Sequence, residues 1–148
     1  MFLTGTFTRT LDEKLRIALP KPLREALAEQ LERPLYVAPG MDGSLALYPE
    51  SSFAQLAGRL GERSPTAREA RDYARLFFAR ATSTKVDRQG RIRIPATLAS
   101  MANLNGEAVL LGVRDHLELW EKGAWARYCA ERSDRYDELA EGAFDSRA

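Results

Sequence analysis

Histidine and cysteine are almost missing: the 148 residues hold one of each, His116 and Cys129. A lone cysteine cannot close an internal disulfide, so a reducing compartment, the cytoplasm, is the expected setting. One histidine and one cysteine cannot build the clusters that hold zinc or iron. The chain also has no glycine-rich phosphate loop and no catalytic motif. His116 falls in a predicted hairpin turn and Cys129 on the apolar face of a predicted helix, ordinary places for an exposed turn residue and a small core residue. These absences argue against an enzyme and against a bound cofactor or metal. No apolar run reaches the ~18 residues of a membrane span. The first residues, MFLTGTFTRTLDEK, lack the basic-then-apolar layout of a signal peptide. An excess of one charge is missing too: the net is +1, so the chain as a whole carries no signature of a nucleic-acid partner.

What is present is a repeat. Leu11–Pro20 reads LDEKLRIALP and Val86–Pro95 reads VDRQGRIRIP. A shift of 75 places Asp12 on Asp87, Arg16 on Arg91, Ile17 on Ile92 and Pro20 on Pro95, and then Leu23 on Leu98. Further on the shift becomes 72, with Val37, Gly40, Leu45, Leu47, Tyr48 and Phe53 meeting Val109, Gly112, Leu117, Leu119, Trp120 and Trp125. Two matched blocks in one order, separated by a length change, mark a duplication, and a duplication fixes the architecture.

Charge is distributed unevenly over this repeat. Residues 1–24 hold five basic against two acidic side chains, and residues 85–95 hold four against one, a net of +3 in each. Residues 125–148 hold four against six, a net of −2. Two basic segments brought onto one face would matter more than the total.

Read in order, residues 2–10 alternate β-formers with Thr and predict a strand. A turn at 12–15, a strand at 16–19 and a short helix over 20–30 follow, the strand closed by Pro20 and Pro22. Residues 34–38 and 45–48 predict a hairpin about Met41–Ser44. Ser51 or Ser52 is the expected cap of a helix whose apolar stripe is Phe53, Leu56, Ala57 and Leu60. Ser64-Pro65 is the expected start of a linker helix with Ala70, Tyr73, Ala74, Phe77, Phe78 and Ala81 on one side, a surface for the core and for a partner subunit. The second copy predicts strands at 81–86 and 91–94, a helix over 96–102, and a hairpin of 108–113 with 117–120 about Arg114–His116. A helix from Lys122 then carries Trp125, Tyr128 and Cys129 inward, and an acidic, frayed end runs from Leu139.

Each copy is too small to cover its own sheet edges, so the two copies should pair about a pseudo-twofold axis. Asp-x-x-x-Arg would then be presented twice, side by side, to a partner with its own repeat, such as duplex DNA. The rigid arginine fork reads phosphates and guanine edges, and a nearby aspartate can hold it in place. Gly90 lets the second turn take positive φ freely. Leu15 stands there in the first copy, so a differently shaped first turn is expected. Lys14, Lys21, Arg24, Arg88 and Arg93 are further candidates for phosphate contacts.

With Met1-Phe2, Gly5, LDEKLRIALP, LALYP, the helical linker, VDRQGRIRIP and LELW, the chain resembles the MraZ family from about Met1 to Trp125. The resemblance implies an α+β fold of two AbrB-like (SpoVT-AbrB) swapped-hairpin β units in pseudo-twofold arrangement, with flanking and linker helices. The units are expected at 5–50 and 81–124, with the linker at 51–80 and a C-terminal helix and tail at 125–148. It implies a transcriptional regulator of the division and cell-wall gene cluster, nucleoid-associated, that binds repeated double-stranded promoter elements, including those of its own gene, as a ring-shaped homo-oligomer. The motif falls on Asp12 and Arg16 and on Asp87 and Arg91, with Lys14, Arg88 and Arg93 beside it. The sequence departs from the family's usual Gly at Leu15. Rival readings are an AbrB-type antitoxin, disfavoured by the duplication and short tail, and a purely structural ring.

Overall fold

The computed structural model describes residues 1–145. The first half runs β1 (Thr6–Thr10), β2 (Arg16–Ala18), α1 (Lys21–Ala26), β3 (Leu35–Pro39), β4 (Leu45–Tyr48), α2 (Glu50–Gly61) and α3 (Arg68–Arg80). The second half repeats the order with β5 (Thr82–Thr84), β6 (Arg91–Arg93), α4 (Ala96–Met101), β7 (Glu107–Val113), β8 (His116–Glu121), α5 (Lys122–Arg132) and, after a 3-10 turn at Ser133–Arg135, α6 (Tyr136–Ala143).

Neither half makes its own sheet. The six-stranded sheet has the order β1-β7-β8-β4-β3-β5, and β2 pairs only with β6. The first strand of each half lies against the hairpin of the other half, β1 on β7 and β5 on β3. Exchanging the halves reverses the strand order onto itself, so the chain has an internal pseudo-twofold. Its axis passes between the central pairs Ala46–Glu118 of β4–β8 and Ile17–Ile92 of β2–β6. These are the expected swapped-hairpin units.

Period-2 alternation explains where the core sits. In the β2–β6 ribbon Ile17 and Ile92 are buried while Arg16, Ala18, Arg91 and Arg93 turn away. Ile17, Leu19, Ile92 and Ile94 join Leu23 of α1 and Leu98 of α4 over the inner face of the sheet, against Leu45, Leu47, Leu110, Leu117 and Leu119. On the outer face Tyr36 and Tyr48 of the sheet meet Phe53 of α2 and Phe77 of α3, and Phe78 of α3 lies edge-on to Phe53. Val109, Leu111 and Trp120 lie beneath α5, with Trp125 and Tyr128 against them.

Five expectations need correction. The N-terminal strand begins at Thr6, because Gly5 takes φ +100° and leaves Leu3 as an isolated bridge to Arg114. Pro49, not Ser51 or Ser52, precedes α2, with φ preset by its ring at −57°. Ser64 closes a local turn with Thr66, and α3 starts only at Arg68. Val37 and Gly40 do not correspond to Val109 and Gly112. Val37 pairs with Leu47 but Leu110, not Val109, pairs with Leu119, because the second hairpin loop is one residue shorter. The acidic end is helical through Ala143; residues 146–148, also within that expected tail, lie outside the described residues.

The ribbon closes the core, so Ile92→Ala is expected to cost about 2–5 kcal/mol. Urea unfolding measures it, and a loss below about 1 kcal/mol would mean that the ribbon is not sealed onto the sheet.

Candidate nucleic-acid interface

The ribbon's outward face begins with its two entry turns, which have the same construction. In the first, the Asp12 carboxylate accepts from the backbone N–H of Lys14 and of Arg16 at 2.9 Å each, and from Arg16 Nε at 2.7 Å. In the second, Asp87 accepts from the N–H of Gln89 and of Arg91 at 2.9 Å each, and from Arg91 Nε at 3.0 Å. The side-chain oxygen of Gln89 also accepts from Arg91 Nη2. Each aspartate thus ties a turn and a guanidinium together with one carboxylate. The hydrogen bond from the N–H of Arg16 is the main reason the Asp12 carboxyl is held below its usual range, and the N–H of Arg91 does the same for Asp87. Both are ionised at neutral pH.

The expected difference in shape of the first turn is not found. Leu15 adopts φ +60° where Gly90 has φ +76°, and both N–H groups donate to the aspartate carbonyl at 3.0 Å. A left-handed leucine costs about 1–2 kcal/mol. Partial burial offsets part of this, since Leu15 packs against the core in a hollow bordered by Ala99 of α4. The matching residue in α1 is Arg24. A Cβ on Gly90 would lie 3.1 Å from the Arg24 side chain. Leucine with alanine in one half, and glycine with arginine in the other, fill equivalent spaces. Arg24 donates through Nε to the Leu19 carbonyl at 3.1 Å, so it supports the second turn.

Pairing sets the two turns side by side. Arg16 stands opposite Arg93 and Ala18 opposite Arg91, so three of the four outward positions of the ribbon are arginines. Arg91 Nη1 reaches to 3.9 Å from Asp12 Oδ2, linking the two motifs across the axis. The Arg16 and Arg91 side chains are 30% and 28% exposed, neither sealed inside nor splayed apart. Lys14, Arg88 and Arg93 are exposed, and their side chains make no ion pair among the described residues. Lys21 is exposed too, 3.9 Å from Glu25. Like charges opposite each other destabilise a strand pair, and an anionic partner would relieve that repulsion.

The lone histidine is not the exposed turn residue expected of it. His116 opens β8, half-buried, with Nδ1 2.9 Å from Asp115 and Nε2 3.2 Å from Glu118. Its ring stacks on Tyr48 at 5.2 Å, whose hydroxyl burial pushes up to about 12. Glu118 also accepts from Trp120 Nε1 at 3.0 Å. Alternation along HLELWE places His116, Glu118 and Trp120 on one face; that signal was available in the sequence. The bond to Glu118, then that to Asp115, raises the pKa of His116 against the opposing effect of burial. A raised folded-state value stabilises fully below the unfolded value of about 6.5 and is lost as pH rises through the folded value. Urea stability is therefore expected to fall as pH rises past about 6.5, and His116→Gln should flatten that slope. An unchanged slope would rule out the imidazolium between the two carboxylates.

The motif-bearing repeats match one family model twice, over residues 2–76 and 77–147, under the description "MraZ protein, putative antitoxin-like". The chain is 37% identical over 145 residues to a protein of Finegoldia magna named transcriptional regulator MraZ, covering 98% of both chains. A protein of Moorella thermoacetica with the same name is 37% identical over 141 residues, covering 95% of this chain and 96% of that one. Another from Thermobifida fusca is 41% identical over 141 residues, covering 95% of both. These relatives are named as regulators and not as enzymes. Two successive matches that together span almost the whole length, on a fold whose halves repeat one another, place this chain in the MraZ family.

Proposed function

We propose that this chain is a sequence-specific DNA-binding transcriptional regulator. The observation that carries the reading is the arginine-bearing ribbon, with Arg16 and Arg91 each clamped by an aspartate on one outward face. The names of its relatives support it. Arg16 and Arg91, held by Asp12 and Asp87, would engage base edges or phosphates, and Lys14, Arg88 and Arg93 would add phosphate contacts. No helix among the described residues is long and apolar enough to cross a membrane. A regulator of this kind works in the cytoplasm, at the nucleoid.

The target we propose is repeated promoter elements of the division and cell-wall gene cluster, including those upstream of its own gene. Several copies, arranged in a ring, would set many such ribbons against successive elements, so that weak single contacts add into tight binding.

Fluorescence anisotropy with the duplex just upstream of the chain's own gene tests this. Binding should weaken steeply with salt, as counterion release requires. Arg16→Ala and Arg91→Ala should each cost about 1–3 kcal/mol of binding while melting temperature and assembly mass stay unchanged. Unaltered binding by the double variant would place the DNA interface elsewhere, and no binding by the parent chain would favour a structural ring; loss of the fold or of the assembly would assign the arginines a structural role.

A further inference from the structure

The two entry turns share an aspartate–arginine clamp but not the residues inside it. Positions 13–15 read Glu-Lys-Leu, and the matching 88–90 read Arg-Gln-Gly. Lys14 and Gln89 therefore occupy equivalent places. Each gives its backbone N–H to the aspartate at 2.9 Å, so both side chains leave the turn from the same point. They differ in kind: a lysine only donates hydrogen bonds, whereas the carbonyl of a glutamine side chain accepts them.

That difference reaches the arginines. Arg16 donates through Nε to Asp12, and neither of its Nη groups meets an acceptor among the described residues. In Arg91 all three guanidinium nitrogens face acceptors of the protein itself. Nε donates to Asp87 at 3.0 Å, Nη2 donates to the side-chain oxygen of Gln89, and Nη1 lies 3.9 Å from Asp12. Exposure does not separate the two arginines, at 30% and 28%. What separates them is which donors are already engaged.

Reading a guanine edge takes two parallel N–H donors aimed at O6 and N7. The Nη edge of Arg16 offers such a pair. On Arg91 that edge is drawn toward Gln89 and Asp12. Its charge remains, and a phosphate oxygen asks for charge and a single donor rather than a fork. The neighbouring positions divide in the same way. Exposed Glu13 precedes Lys14 in the first turn and repels a phosphate, whereas exposed Arg88 stands at the matching place and attracts one.

We propose that the two turns divide the work on DNA: Arg16 reads a base edge, and Gln89 is a positioning residue that keeps Arg91 for a backbone phosphate. This rests on the reading that the ribbon binds DNA, and says which arginine confers the sequence preference.

The test compares two affinities by anisotropy at one salt concentration. One is for the duplex upstream of the chain's own gene, the other for a scrambled duplex of equal length and composition. Lysine keeps the charge of arginine but lacks its fork. Arg16→Lys should therefore lower the ratio of the two affinities about ten-fold or more. Arg91→Lys should affect both duplexes alike and leave the ratio within about two-fold. Gln89→Ala keeps the backbone N–H that the turn uses but removes the acceptor. Over a set of duplexes with single base-pair changes, it should add a position discriminated by about five-fold or more, because the Arg91 edge is opened. Gln89→Glu still accepts from Arg91 and should keep the parent's profile. Equal losses of the ratio in the two lysine variants, or a parental profile in Gln89→Ala, would sink this division while DNA binding stands. A parent chain that binds neither duplex, or both equally, would instead overturn the reading of a sequence-specific DNA-binding ribbon.

Discussion

The antiparallel pairing of Arg16–Ala18 with Arg91–Arg93 is the contact on which the molecule depends. It is short, but it joins the halves at their symmetry axis and decides both faces at once. Inward it sets Ile17 and Ile92 into the core; outward it fixes where the arginines stand. A slip of one residue would exchange those faces, burying charge and exposing isoleucine. The core therefore enforces the register, and the register aims the arginines.

The aspartates then make the surface specific in shape. An exposed ion pair alone is worth little. Here each carboxylate also holds two backbone N–H groups of its turn, so the guanidinium is tied to a rigid element. On Arg16 the fork keeps its Nη groups for a partner while Nε is occupied; on Arg91 the Nη groups also meet Gln89 and Asp12. The two halves reach this geometry by different means. Gly90 accepts positive φ freely, and Leu15 accepts it because its side chain finds a half-buried place beside Ala99, where the other half has Arg24.

Much of this was legible in the sequence, for reasons particular residues make plain. The doubled D-x-x-x-R and the shift of 75 predicted matched turns, and the arginines do face one side. The hairpins followed from the turns at Met41–Ser44 and Arg114–His116. The pairing of like-for-like letters misled at Val37 and Val109, because a loop shorter by one residue moves the correspondence without changing the composition. Leu15 misled because the cost of its backbone was visible and the hollow beside Ala99, far along the chain, was not. The acidic content of 137–145 hid a regular apolar stripe. His116 was hidden by its place beside a turn, since burial against Tyr48 is a long-range contact.

The account's central claim is that both arginines meet one polyanion. Titration of the chain with duplex DNA from upstream of its own gene, followed through the arginine Nε–Hε resonances, tests it most directly. The account predicts that the Arg16 and Arg91 signals move together, at the same DNA concentration, while that of Arg71 of α3, which donates to the Pro65 carbonyl ahead of the helix, stays in place. Signals of Arg16 and Arg91 that remain still while others shift would contradict it.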